Sequence, residues 1–179
     1  MRVIAGFHRS RKLQTLEGMN TRPMMDRMKE TIFNTIGPYF NGQIVLDLFG
    51  GSGALSIEAI SRGASKAYIV DSSSEAIQVI TQNVKSLKEE DKVQIFKMDY
   101  MQALNKFKDL KFDIVFLDPP FRMNITNEIV DFILDNKMLN INGIVVCQCA
   151  KGNFEKVNRL NLHKNYAYGK SEAAIYKMD

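Results

Sequence analysis

The sequence predicts a doubly wound, Rossmann-like α/β domain with a mostly parallel sheet and an antiparallel hairpin at its end. Three observations predict it. From residue 43 onward, short apolar runs alternate with amphipathic stretches, the pattern of strands joined by crossover helices. Ile114-Val115-Phe116-Leu117 is continuously apolar, as a parallel strand covered on both faces must be. Near the end, runs at 166–168 and 173–176 flank Gly169-Lys170-Ser171, which reads as a closing hairpin.

Each element has its own local reason. Residues 2–16 read as a small hairpin or arm, with Gly6 and Ser10 near its turn. Pro23 suits the first turn of a helix, and Met25, Met28, Ile32 and Ile36 follow at steps of three and four until Gly37-Pro38 stops it. A strand is expected at 44–48, then a helix at 54–62 with Leu55, Ala59 and Ile60 inward, then a strand at 67–70. Ser72-Ser73-Ser74-Glu75 offers a capping box for a helix carrying Ala76, Ile77, Ile80, Val84 and Leu87. Strands at 93–96 and 112–117 bracket a helix at 101–107, and a helix at 127–134 precedes a strand at 141–149. These divide one domain into a basic arm (1–20), an N-terminal helix (21–40) and a catalytic core (41–179).

The 179 residues, 45% hydrophobic and 25% charged, match one globular domain large enough to bury a core. No apolar run is long enough to span a bilayer, and no secretory h-region is evident, so a cytoplasmic protein is expected. Cys147 and Cys149 lack the further closely spaced ligands of a structural zinc site, so they are expected to be reduced and buried, with no metal bound. Residues 1–40 hold seven Lys/Arg against three acids, which accounts for the whole net charge of +4. A basic end on a balanced body points to a polyanion partner. Arg2, Arg9, Arg11, Lys12, Arg22 and Arg27 are the candidate phosphate contacts, with Arg122 beside the chemistry loop; Arg22 and Asp26 also fit an exposed i, i+4 pair.

Asp47-Leu48-Phe49-Gly50-Gly51-Ser52-Gly53 lies between the first core strand and its helix, where doubly wound sheets bind nucleotides. Gly51 and Gly53 fit a dinucleotide fingerprint, but Ser56 stands at the third glycine, and no Gly-Lys-Ser/Thr follows as in a Walker A loop. A carboxylate at Asp47 repels a pyrophosphate yet suits the cationic amino-acid end of S-adenosylmethionine, directly or through water. Phe49, Gly50, Gly51 and Gly53 complete the loop. Asp71, about 20 residues beyond the first loop glycine, is placed for a ribose diol, with Ser72 beside it. Asp99 is placed for the adenine amino group, and Tyr100 for the ring. Both acids precede helices, so capping is the competing reading.

The most specific signal is Asp118-Pro119-Pro120-Phe121 at the end of the buried strand. Two prolines fix their own φ and bar the residue before each from the helical region, so the loop is rigid. The exocyclic amine of a base is a poor nucleophile, its lone pair delocalised into the ring. Hydrogen bonds from its two N–H groups to the Asp118 carboxylate and the Pro119 carbonyl favour a pyramidal nitrogen aimed at a sulfonium methyl. Phe121 is expected to stack on the base.

These motifs resemble class I S-adenosylmethionine methyltransferases of the amino-methylating kind. Over nearly all its length the chain looks like the bacterial 16S ribosomal RNA guanine-N2 methyltransferase family (the RsmD type). The likeness runs through Met1-Arg2-Val3-Ile4-Ala5-Gly6, Arg11-Lys12-Leu13, Arg22-Pro23, Asp26-Arg27, Glu30-Thr31-Ile32-Phe33-Asn34, the glycine loop with Ala54-Leu55, and residues 118–121. The resemblance implies a seven-stranded sheet with an antiparallel final strand. It also implies methylation of N2 of one guanine in small-subunit ribosomal RNA, within assembled particles; the chain itself is expected to act as a monomer. Two residues depart from the pattern: His8 replaces a tryptophan, and Gln148 stands where an acid is common.

Three other readings compete. A DNA amino-methyltransferase acting on adenine or cytosine uses the same tetrapeptide, but 179 residues leave no room for a separate recognition domain. A catalytically silent RNA-binding module would need neither Asp47 nor Asp118. A nicotinamide dehydrogenase conflicts with Asp47 and with the missing third glycine.

Overall fold

The computed structural model describes residues 1–16, 26–120, 123–153 and 156–178. Twelve elements follow in order: α1 (Asp26–Ile36), β1 (Ile44–Asp47), α2 (Ala54–Ser61), β2 (Lys66–Asp71), α3 (Ser74–Leu87), β3 (Val93–Lys97), α4 (Tyr100–Phe107), β4 (Phe112–Leu117), α5 (Thr126–Asp135), β5 (Leu139–Ala150), β6 (Asn161–Tyr168) and β7 (Ser171–Lys177). The strands form one sheet in the order β3-β2-β1-β4-β5-β7-β6. The first five neighbours pair in parallel, and β7 runs antiparallel to both β5 and β6. The expected doubly wound sheet with a closing antiparallel hairpin is therefore the fold, with its switch point between β1 and β4.

Alternation along the strands divides the interior into two layers. Val45, Ile69, Ile114, Phe116, Val146 and Ile175 face the layer covered by α1, α2 and α3. Leu46, Val70, Val115, Leu117, Val145 and Tyr176 face the layer covered by α4 and α5. The edge strand β6 is mostly exposed, and its Asn161, His163, Lys164 and Asn165 are side chains that discourage pairing with another sheet edge.

The arm begins with an antiparallel bridge between Arg2 and Lys12 and turns through Gly6 and Ser10, both at positive φ. A Cβ on Gly6 would fall 1.8 Å from the Ser61 carbonyl oxygen, so only glycine lets the turn close onto α2. That docking adds to one expectation. Leu55, Ala59 and Ile60 are inward as expected, and the other five residues of α2 are buried as well. The arm covers the face that periodicity alone assigns to solvent. The structure of α1 begins at Asp26; Pro23 and Met25 lie outside the described residues.

Candidate cofactor and target-base site

The glycine loop is set by contacts at each of its glycines. Gly50 donates to the Val70 carbonyl at 2.8 Å, and a Cβ there would come within 2.4 Å of Ile69 Cγ2. Gly51 has φ +56 and open space around the position a Cβ would take. Gly53 occupies the N-cap of α2 in the left-handed region and brings no side-chain cap. The loop thus offers bare backbone and the N-terminal N–H groups of α2 at the carboxyl end of β1.

Asp47 lies below this surface. Only 2% exposed, its carboxylate accepts from Ser56 Oγ at 3.0 Å and from the Phe49 backbone. Burial pushes it up from an ordinary 3.8 to about 7, against those hydrogen bonds, with the Asp71 charge adding to the rise. Ser56, which breaks the dinucleotide fingerprint, is therefore the donor that holds the loop's acid.

Asp71 joins the loop to β2: Oδ2 accepts from Gly51 N at 2.9 Å and Oδ1 from Ser73 N at 2.8 Å. The N-cap of α3 is Ser73, which accepts from Ala76 N. Asp71 is thus a loop tie and leaves capping to Ser73, while the adjacent Ser72 is exposed. Asp99 does cap its helix, Oδ1 accepting from Met101 N and Gln102 N in a full capping box. Tyr100 follows it, its ring 5.9 Å from that of Phe49. The Tyr100 hydroxyl is pushed up by burial and by Glu128 and Asp99. These groups converge on one end of β1, β2 and β3.

One strand to the other side of β1, β4 delivers Asp118, half-buried, followed by buried Pro119 and exposed Pro120. Phe121 and Arg122 lie outside the described residues. Beyond Asp118, burial raises the Cys149 thiol to about 11, with Glu172 and Asp118 adding to the rise. Cys149 is half-buried and Cys147 buried, and neither forms a disulfide with a described residue. Among the described residues no group of three or more His, Cys, Asp or Glu could hold a metal ion, and no helix is long and apolar enough to cross a membrane.

The basic residues are spread along the arm and α1. Arg2 pairs with Asp26 at 3.3 Å, the acid also considered for Arg22, which itself lies outside the described residues. Arg11 donates to the Ser86 carbonyl. Arg27 lies over the Tyr168 ring at 4.9 Å. Arg9 and Lys12 are exposed. Arg9 sits at the turn docked on Ser61, the last residue of α2, so about 12 Å of helix separates it from the glycine loop. There it lines a cleft of about 610 Å³ with Phe7, Tyr39, Glu30 and Asn34, away from Asp118.

Two further residues escaped the sequence reading. Asn83, 2% exposed on α3, donates to the carbonyls of Ser52 and Gln14, fastening the loop and the arm to one helix. Glu58 accepts from the backbones of Ile4 and Ala5. Each is a polar residue set among the apolar positions of a helix, and that was the available signal.

A family model described as conserved hypothetical protein 95 matches residues 1–177. A Bacillus subtilis protein provisionally named an rRNA methyltransferase, YlbH, is 38% identical over 99% of this chain and 98% of its own. The ribosomal RNA small subunit methyltransferase D of Haemophilus influenzae is 33% identical over 84% of this chain and 79% of its own. A solved Escherichia coli structure, provisionally described as a methyltransferase, superimposes with a TM-score of 0.86 at 30% identity, covering 100% of this chain and 98% of that one.

Proposed function

This chain belongs to the conserved hypothetical protein 95 family and is similar to the ribosomal RNA small subunit methyltransferases D of Haemophilus influenzae and Escherichia coli, and we propose on that premise that it methylates N2 of a guanine in small-subunit ribosomal RNA, using S-adenosylmethionine. One observation carries the reading: Asp118-Pro119-Pro120 ends the strand beside β1, whose own end carries the bare glycine loop. A methyl donor held at one is then within reach of an amine held at the other.

The residues present fit that donor. Gly51 leaves space for close approach, Gly50 and Gly53 set the backbone path, and the acids Asp47, Asp71 and Asp99 suit a ligand with a cationic amino-acid end, a ribose diol and an adenine amine. Asp47 acts from beneath the loop by its charge and by fixing Phe49, since its carboxylate is buried. Asp71 has lone pairs remaining beside its two backbone bonds for ribose hydroxyls. Phe49 and Tyr100 provide a ring pair for the adenine. The donor supplies an electrophilic sulfonium methyl: the N2–C bond forms as the C–S bond breaks, leaving S-adenosylhomocysteine.

Asp118 and the Pro119 carbonyl hold the two N2 hydrogens and turn the nitrogen lone pair toward the methyl. The positive charge that develops on N2 is met by the Asp118 carboxylate, and the proton shed leaves through it to water. Arg2, Arg9, Arg11, Lys12, Arg22, Arg27 and Arg122 carry phosphate contacts.

The test supplies methyl-labelled S-adenosylmethionine with small ribosomal subunits, free ribosomal RNA and DNA, then maps the labelled base. Label at N2 of a guanine in small-subunit RNA is expected. Asp118→Ala should lower kcat by about 100-fold or more while leaving RNA affinity intact. Label on adenine or cytosine, or on DNA, would defeat the reading, as would full activity in the variant.

A further inference from the structure

We propose that Gln148 reads the Watson–Crick edge of the target guanine, its Oε1 accepting the N1–H and its Nε2 donating to O6. The inference rests on the guanine reading above and adds the residue that selects the base.

Gln148 is a buried polar side chain, 5% exposed, and its Oε1 makes no hydrogen bond among the described residues. A buried carbonyl without a partner lowers stability, and such groups in native proteins call for an explanation. Position supplies one. Leu117 on β4 pairs with Cys147 on β5, so the next residues in parallel register are Asp118 and Gln148. Phe116 and Val146 belong to one core layer. Alternation carried one residue past the end of β4 puts Asp118 on the same face as Gln148, about 4.8 Å away if the strand spacing continues. The partner of Gln148 on β7 is Ala173, whose single methyl occupies little of the space above this row. Both residues stand at the carboxyl ends of their strands, where open α/β sheets bind ligands.

The chemistry of the base completes the match. Along guanine's edge the donors N2–H and N1–H are adjacent, followed by the O6 acceptor. With N2 held at Asp118, the next groups along the edge need one acceptor and one donor, and a glutamine amide presents both side by side in either orientation. Adenine and cytosine carry an acceptor where guanine has N1–H, so the same grip that orients N2 refuses them. A pocket built to bond a substrate hydrogen discriminates strongly against an analogue lacking it, because its own polar groups are then left unpaired.

The experiment compares the wild type with Gln148→Met, which keeps the length and removes the polar atoms, and with Gln148→Glu, which keeps an acceptor. The substrates are small subunits carrying either guanine or 2-aminopurine at the mapped target. 2-Aminopurine has the same 2-amine but neither N1–H nor O6. The wild type should prefer guanine in kcat/KM by on the order of 10–100-fold. Gln148→Met should lose most of that preference by falling on guanine alone, and its thermal midpoint should stay level or rise, since an unpartnered acceptor has been removed. Gln148→Glu should retain a preference for guanine. Undiminished preference in Gln148→Met, or an equal fall on both bases, overturns the proposal while leaving the methyltransferase reading in place. A wild type that methylates no guanine overturns both.

Discussion

At Asp47 the fold holds a carboxyl out of reach of water, and the consequence is measurable apart from any substrate. Its folded form keeps its proton up to about pH 7, whereas the unfolded chain releases it near 3.8. Between those values the folded state binds more protons, so stability falls as pH rises through that window and levels off above it. The full difference is on the order of 4 kcal/mol above pH 7. Asn in this position keeps an acceptor for Ser56 Oγ and does not titrate. Asp47→Asn should therefore unfold at a higher temperature than the wild type at pH 8, with the gap narrowing toward pH 5. Each kcal/mol corresponds to roughly 2–4 °C in a chain of this size. Equal midpoints at pH 8 would show that the acid is not strained by burial. On the proposed reading, that cost is offset by the negative charge the loop then offers a cationic ligand.

Among the elements, the join between the arm, α1 and α2 turns on one residue. Glu58 accepts from Ile4 N at 2.8 Å, Ala5 N at 3.0 Å and Arg62 Nε at 2.8 Å, and Lys29 Nζ lies 3.2 Å away. Lys29 and Glu58 are fully buried, and Arg62 nearly so. Burial lowers the Lys29 ammonium from its usual range, and the Glu58 charge opposes that fall. Glu58→Gln leaves two buried cations without a counter-charge, so a loss of about 3–5 kcal/mol is expected in urea unfolding. Arg159→Ala, which breaks exposed pairs with Asp131 and Asp135, should move the midpoint little. A Glu58→Gln midpoint as little changed as that one would mean the buried trio is not what fixes the arm. The local signals, Glu58 among apolar positions and Arg62 four residues on, do not foretell the burial of this trio. Periodicity places Leu55, Ala59 and Ile60 inward on α2, and the arm, some 50 residues away in sequence, and Lys29 on α1 join Arg62 as partners of Glu58.

For the whole molecule, what was legible depended on range. The sheet and its closing hairpin follow from patterns internal to each segment: the apolar run 114–117, the glycines after β1, the turn at Gly169. The positions of the glycine loop and of Asp118 at strand ends were legible for the same reason, each being a short contiguous motif. Ser56, Asn83 and Gln148 were not, because their meaning lies in neighbours brought by other strands and helices. The arm shows the same divide. Its charge was plain, with no acid in residues 1–16, but its course was not: the turn bearing Arg9 reaches the end of α2 opposite the glycine loop. An RNA that touches both Arg9 and Asp118 must then extend along the helix, which a single flipped base cannot do. If the arm binds phosphates over that span, affinity for small-subunit RNA falls linearly in log–log salt titrations, with each neutralised phosphate adding about 0.7–0.9 to the slope. Arg9→Ala with Lys12→Ala should make the slope shallower by roughly 1–2. Lys85→Ala on the charge-balanced body should leave it unchanged. An unaltered slope in the arm variant would place the RNA on the Asp118 side alone, and the arm's charge would then be a matter of solubility.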